Sequence, residues 1–292
     1  MVTDPVCGMR VDESRAPARS EYGGRSVYFC SLGCKIVFDQ DPARWLGEGE
    51  LTGTTPVPHV DGLVLRTVGL KKTYRRGREL VEALRGVDLE IGAGDFVTVM
   101  GPSGGGKSTL LHLIGGIDRP TEGEVWVDGV DVGSASEEKL TRFRREKVGF
   151  IFQFYNLLPT LSGVENVELP LIALGYPRRG RRTMAEEILR VVGLGDRLDH
   201  KPGELSGGEQ QRVAIARAIV AHPSLVLADE PTGDLDSASS EAVVGLMKEV
   251  NRSLGLTFVL VTHNPAVGER GRRRLLLKDG RIVGDENAPG AG

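Results

Sequence analysis

The stretch Gly101-Pro102-Ser103-Gly104-Gly105-Gly106-Lys107-Ser108-Thr109 has the residue types and spacing that most directly specify chemistry in this chain. It fits the pattern G-x-x-x-x-G-K-[ST], in which glycines let backbone N–H groups close around phosphate oxygens, a lysine adds a point charge and a hydroxyl binds Mg²⁺. Two adjacent acids, Asp229 and Glu230, end the apolar run Leu225-Val226-Leu227-Ala228. Burying both is costly without a metal or substrate partner, so one is expected to face Mg²⁺ and the other a water. In Leu205-Ser206-Gly207-Gly208-Glu209, Ser206 and Glu209 have the spacing of a capping box. The double glycine adds nothing to a cap and leaves the helix start open to a phosphate, so both readings stand. Cys7, Cys30 and Cys34 are the three cysteines of the chain. Such soft thiolates can meet at one metal, and they suit Zn²⁺ or Cu⁺.

Elements must hold these groups in place. The run Asp95-Phe96-Val97-Thr98-Val99-Met100 reads as a strand and Leu110-Leu111-His112-Leu113-Ile114 as a helix, so the loop lies between strand and helix. Further strands are expected at 63–66, 87–91, 123–127, 148–152, 225–228 and 257–261, with a closing hairpin at 275–283. Gln153 follows the 148–152 strand, where a polar residue points into the crevice at which open α/β sheets bind ligands. Helices are expected over 137–146, from 205 through 221 and over 237–254. Residues 156–194 read as mostly helical, with breaks at Pro159, Pro170 and Pro177. If the chain is helical from Ser31 onward, Cys30 and Cys34 share one face, and Cys7 sits in the turn Pro5-Val6-Cys7-Gly8-Met9.

The 292 residues, 40% hydrophobic and 26% charged, suit one large α/β domain and a smaller one. A formal charge of −3 leaves no basic footprint for nucleic acid, and the arginines at 178–182 and 270–274 read as solvated surface. No apolar run approaches the ~20 residues of a membrane span, and the N-terminus lacks a signal-peptide core, so a cytosolic protein with reduced cysteines is expected. Residues 47–62, rich in Gly, Pro and Thr, read as a linker, and 285–292 as a disordered tail.

The loop at 101–109, Gln153, Leu205 to Glu209, Leu225 to Glu230, Gly233-Asp234-Leu235-Asp236 and His263 stand in one order. In that order residues 63–284 closely resemble the nucleotide-binding subunit of an ATP-binding cassette (ABC) transporter. The segments 156–167 and 209–218 look like the branch of lipoprotein-releasing and macrolide-exporting ATPases. The resemblance implies an ABC-type P-loop NTPase fold, with a RecA-like core, an antiparallel β subdomain and a helical subdomain. It also implies roles. The backbone of Gly104 to Gly106 and Lys107 would cradle the β- and γ-phosphates of ATP, and Ser108 and Gln153 would hold Mg²⁺ with Asp229 behind them. Glu230 would be the general base, His263 would contact the γ-phosphate and Tyr74 would stack on adenine. Ser206, Gly207 and Gly208 would reach ATP held by a second copy, so a homodimer closing on an ATP sandwich is implied. A separate membrane permease of the FtsX or MacB kind is implied too, with the chain peripheral on the inner face of the cell membrane. Glu209 stands where a glutamine is frequent and Gly105 where a serine is. A soluble ABC ATPase outside transport and a metal-responsive regulatory ATPase are the alternatives.

Residues 1–46 form a small Cys-containing α+β module. The stretches Asp4-Pro5-Val6-Cys7-Gly8-Met9 and Tyr28-Phe29-Cys30-Ser31-Leu32-Gly33-Cys34, with Phe38, resemble the YHS or TRASH-type module associated with heavy metals. The segment holds no histidine, which leaves a fourth ligand unnamed. A packed module whose cysteines stabilise it, with or without structural zinc, is the other reading.

Overall fold

The structure, a computed structural model, describes residues 1–6, 10–30, 34, 35, 38, 39, 42, 62–77 and 79–287. Cys7, the linker expected before Gly62 and the tail beyond Asn287 lie outside the described residues. Contacts divide the chain into two units, Met1–Pro58 with Leu157–His222, and His59–Asn156 with Pro223–Gly292.

The first unit begins with β1 (Val2–Thr3) paired antiparallel to β2 (Arg10–Val11), and a hairpin of β3 (Ala18–Tyr22) and β4 (Arg25–Phe29). Phe29 and Phe38 are fully buried with ring centroids 5.1 Å apart, an aromatic pair that gives this small module its core.

In the second unit, β5 (Leu63–Arg76) and β6 (Glu79–Gly92) form a long antiparallel pair. Both exceed the short strands expected at 63–66 and 87–91. Their pairing shifts register at several points, including between Thr67 and Leu70, and each bulge interrupts the period-2 alternation by which a strand is recognised. β7 (Phe96–Met100) leads into α1 (Lys107–Ile114). Next come β8 (Glu122–Val127), β9 (Val130–Asp131), α2 (Glu137–Glu146), capped by Ser136, and β10 (Val148–Phe152). β8 and β9 join the long pair in a sheet ordered β6-β5-β8-β9, the antiparallel subdomain expected.

The helical segment of the first unit holds α3 (Gly163–Ala173), α4 (Arg178–Val191) and α5 (Gly207–Ile219), with α3 packed on both others. Pro170 lies inside α3 and does not break it, contrary to expectation. A proline within a helix removes one hydrogen bond and costs ~3 kcal/mol, but a capping box on Ser162 fixes the start of α3 and its packing on two helices holds its course. Two arginines of the basic run entering α4 are paired within the unit, Arg181 donating to Glu168 (2.8 Å) and Arg182 to Glu186 (2.7 Å) and Asp199 (2.9 Å).

The second unit resumes with β11 (Leu225–Asp229), α6 (Ser237–Leu254), β12 (Thr257–Thr262), α7 (Pro265–Gly268), β13 (Arg273–Lys278) and β14 (Arg281–Asn287). These complete a sheet ordered β10-β11-β12-β7-β13-β14, parallel except for its last pair. β12 is buried along its whole length, and β11 up to Asp229, as an apolar strand between two covered faces should be. The tail expected from Asp285 is strand as far as Asn287. Cross-strand ion pairs, Arg273 with Asp285 (2.8 and 2.7 Å) and Arg274 with Glu286 (3.0 Å), extend the pairing that the polar sequence hid. Among the described residues no helix is long and apolar enough to cross a membrane.

Candidate active site and thiol cluster

Register gathers the first site. Phe152 is level with Asp229, Asp229 with Val261 and Val261 with Val99, so four parallel strands end on one line. The residues just beyond that line are Gln153, Glu230, Thr262-His263 and Met100-Gly101. These groups are far apart along the chain, and the parallel sheet brings them to one carboxyl edge, where open α/β sheets bind ligands.

The loop at 101–109 wraps between β7 and α1. Lys107 is buried, and its Nζ donates to the Gly101 and Pro102 carbonyls, each at 2.9 Å. The Gly105 amide donates to the Pro102 carbonyl (3.1 Å), and the Gly105 carbonyl accepts from the amide of Gly280 at the β13–β14 turn (3.2 Å). Gly106 opens α1 with φ +99° and supplies no side-chain cap, so the amides of Lys107, Ser108 and Thr109 keep their positive end toward any anion in the loop. A Cβ at Gly106 would lie 2.5 Å from the Ala83 carbonyl oxygen, so this corner of the loop admits glycine alone. Gly104 also holds a positive φ of 76°, and Ser103 immediately precedes it.

Ser108 Oγ donates to Asp229 Oδ1 at 3.1 Å. Burial raises the Asp229 pKa, and the Ser108 hydrogen bond opposes the rise. Hydroxyl and carboxylate therefore face the same spot, an oxygen pair of the kind that suits Mg²⁺. Gln153 Nε2 donates to Asp234 Oδ1 at 3.1 Å, and a Cβ on Gly233 would lie 2.7 Å from that nitrogen. Gly233 is thus the small residue that lets Gln153 pass. Asp236, by contrast, caps α6 by accepting from the Ala238 and Ser239 amides, both at 3.0 Å.

Glu230 sits just past β11 with φ 47°, the left-handed region that a residue other than glycine enters only at a cost. Its amide donates to the Val261 carbonyl (3.0 Å), Oε1 lies 2.7 Å from His263 Nδ1, and Oε2 accepts from the His263 amide at 3.3 Å. Tyr74, on β5, is 38% exposed, which leaves ring surface available. Its hydroxyl donates to Asp118 Oδ2 at 2.8 Å, and Lys72 Nζ lies 4.9 Å from the ring centroid while also bonding Asp118 Oδ1 at 2.7 Å. Burial, then the Asp118 hydrogen bond, raises the tyrosine pKa, while a hydrogen bond with Thr109 opposes it.

Ser206, Gly207 and Gly208 are in the first unit. Ser206 Oγ accepts from the Glu209 amide (3.3 Å) and donates to Glu209 Oε2 (2.8 Å), which also accepts from the Ser206 amide (2.8 Å). The capping box is therefore formed, and the Ser206 amide holds the Glu209 carboxyl below its usual range.

The thiol cluster is also in the first unit. Asp4, Cys30 and Cys34 offer ligand atoms all within 4.8 Å of one another. The two sulfurs are 3.7 Å apart, and Cys34 is fully buried. Asp4, also fully buried, accepts from the Val6 amide on Oδ1 (2.9 Å) and from the Cys30 amide on Oδ2 (2.8 Å). Burial, then the Cys30 thiol, pushes its carboxyl up to about 6. The helical segment closes over the thiols: Cys30 Sγ donates to Tyr176 Oη at 3.3 Å, and Cys34 Sγ lies 3.8 Å from Met184 Sδ. Sequence reading missed Asp4, Tyr176 and Met184. Asp4 stands in the motif and could have been found there, whereas no signal marks Tyr176 and Met184, which lie 146 and 150 residues from their cysteine partners.

The family model described as ABC transporter matches residues 84–233, and that described as YHS domain matches residues 2–48. The chain is 47% identical to the lipoprotein-releasing system ATP-binding protein LolD of Syntrophus aciditrophicus, over 75% of this chain and 99% of LolD. It is 46% identical to the macrolide export ATP-binding/permease protein MacB 1/2 of Paracoccus denitrificans, over 78% of this chain and 34% of that larger protein. A solved dimeric structure of the ATP-binding cassette MJ0796 of Methanocaldococcus jannaschii, in a post-hydrolysis state bound to ADP and Pi, superposes with a TM-score of 0.71 at 45% identity. That match covers 77% of this chain and 99% of the cassette.

Proposed function

Since the chain belongs to the ABC transporter family, we propose that its two units serve one cycle of ATP binding and hydrolysis that powers a separate membrane permease. The chain is an ATP-hydrolysing nucleotide-binding subunit, and two copies pair for the work.

The roles divide as follows among the residues of the site. Amides of the loop from Gly101 to Thr109 and the Lys107 ammonium hold the β- and γ-phosphates. Ser108 and Gln153 would hold Mg²⁺, with Asp229 supporting Ser108, and the ion when bound would supply neutralisation of the phosphoryl charge. Glu230 accepts the proton of the attacking water, and His263 fixes the carboxylate through Oε1 while turning Nε2 toward the γ-phosphate. Tyr74 stacks on adenine with the face away from Lys72. Ser206, Gly207 and Gly208 bind the nucleotide of the second copy, so closure of the pair completes each site. The 2.7 Å bond between Glu230 and His263 supports the reading most, because it fixes a carboxylate at the strand edge from which the loop at 101–109 also leaves.

The permease is of the FtsX or MacB kind, and the subunit sits peripherally on the inner face of the cell membrane. Co-expression with a candidate permease, followed by membrane fractionation, tests this; a subunit that stays in the soluble fraction and shows no change in turnover rejects it. The N-terminal module binds one thiophilic ion, Zn²⁺ or Cu⁺, through Cys30 and Cys34, with Cys7 as a further ligand. Glu230→Gln is the test of the catalytic assignment, with ATP turnover as the readout.

A further inference from the structure

We infer that Cys30 and Cys34 of the N-terminal module and Met184 of α4 form a single Cu⁺ site, shared between the module and the cassette's helical segment. This rests on the reading that the module binds a thiophilic ion, and it names the ion and a ligand outside the module.

Spacing is the first support. Cys34 Sγ lies 3.7 Å from Cys30 Sγ and 3.8 Å from Met184 Sδ. Sulfur ligands ~2.3 Å from a common ion lie ~3.8–4 Å from one another, so neither pair needs to move far to share one. Burial is the second. Cys34 is fully buried and Met184 is 1% exposed, while Cys30 is half-buried, so two of the three sulfurs are out of water and the third leaves a path by which an ion can enter.

Ligand softness selects the ion. A thioether beside thiolates suits Cu⁺, whereas structural zinc draws its ligands from Cys, His and carboxylate, so Met184 discriminates between the two ions with or without Cys7 as a further thiolate. Asp4 accepts one backbone amide on each oxygen, and its bond to the Cys30 amide positions that cysteine, so the thioether of Met184 rather than this carboxylate is the group that sets the preference for Cu⁺. Tyr176 Oη, 3.3 Å from Cys30 Sγ, can donate to the thiolate and so plays the outer-shell part that orients a ligand and steadies its charge. The consequence is mechanical: copper bound here ties the module to α4.

The experiment uses the full chain with methionine sulfur replaced by selenium, loaded with one equivalent of Cu⁺ without oxygen. X-ray absorption at the copper edge is expected to show a copper–selenium path, and Met184→Leu, which conserves volume, is expected to abolish it while the chain stays folded. In competition with a chromogenic Cu⁺ chelator, the Leu variant should bind copper at least ~10–100-fold more weakly, the loss typical even of an outer-shell partner. Copper bound with no selenium path, or a path that persists in Met184→Leu, overturns the shared site yet leaves a metal-binding module. A full chain that takes up no Cu⁺ overturns both.

Discussion

Glu230 and His263 are joined side chain to side chain at 2.7 Å, and by a second bond from the His263 amide to the same carboxylate at 3.3 Å. The two residues end neighbouring parallel strands, so β11–β12 register sets the distance between them. A carboxylate clamped in this way is pre-positioned, and little reorganisation is needed when a water arrives.

Glu230→Gln keeps the shape and one acceptor oxygen and removes the carboxylate proposed as the base. ATP turnover is expected to fall by about 10²–10⁴-fold, with ATP still bound and the ATP-held dimer persisting longer. Steady-state hydrolysis together with size-exclusion in ATP checks both halves; near-normal turnover rejects the assignment.

Ser206→Asp separates the two readings of the glycine-rich helix start. Aspartate caps a helix about as well as serine, but it cannot donate to Glu209 Oε2 as the Ser206 hydroxyl does, so a loss of about 1 kcal/mol from this capping box is expected. Its charge would also meet a phosphate, and turnover should drop by at least tenfold at a temperature where melting shows the variant still folded. Full activity in this variant would mean that the serine is a cap and nothing more.

Gly233→Ala tests the passage of Gln153. A Cβ there would lie 2.7 Å from Gln153 Nε2, and a flexible side chain gives way more readily than backbone. Stability should change little, whereas the Mg²⁺ concentration for half-maximal hydrolysis should rise several-fold. A Mg²⁺ titration of ATPase activity decides; an unshifted midpoint removes Gln153 from the metal's ligands.

The closing hairpin should be acid-labile. Its hydrogen bond with Arg273 depresses the Asp285 pKa in the folded state. A depressed carboxylate stabilises above its unfolded value, near 3.8, and that contribution is lost as pH falls through the folded value. Protection factors of the amides in β13 and β14, which allow for the intrinsic slowing of exchange toward acid, should therefore fall below about pH 4, where unpaired aspartate begins to protonate. Asp285→Asn should flatten that dependence, and an equally steep profile in the variant would assign the lability elsewhere.

Much of this was open to reading from the chain. The phosphate loop, the acid pair after an apolar strand and the capping box are local patterns, and α2, β10 and α6 fall where periodicity and turn residues put them, because each is decided by neighbours a few residues apart. The bulged pair β5–β6 and the last residues of β14 were read short, since their pairing is held by partners elsewhere in the sequence rather than by alternation. What tertiary structure alone decided is which distant groups meet. Strand register sets Gln153, Asp229, Glu230 and His263 on one edge, and the packing of the helical segment on the N-terminal module puts Met184 and Tyr176 against Cys34 and Cys30. No local rule can report such meetings, because a contact across 150 residues is fixed by the packing of whole elements and leaves no periodic trace in either segment.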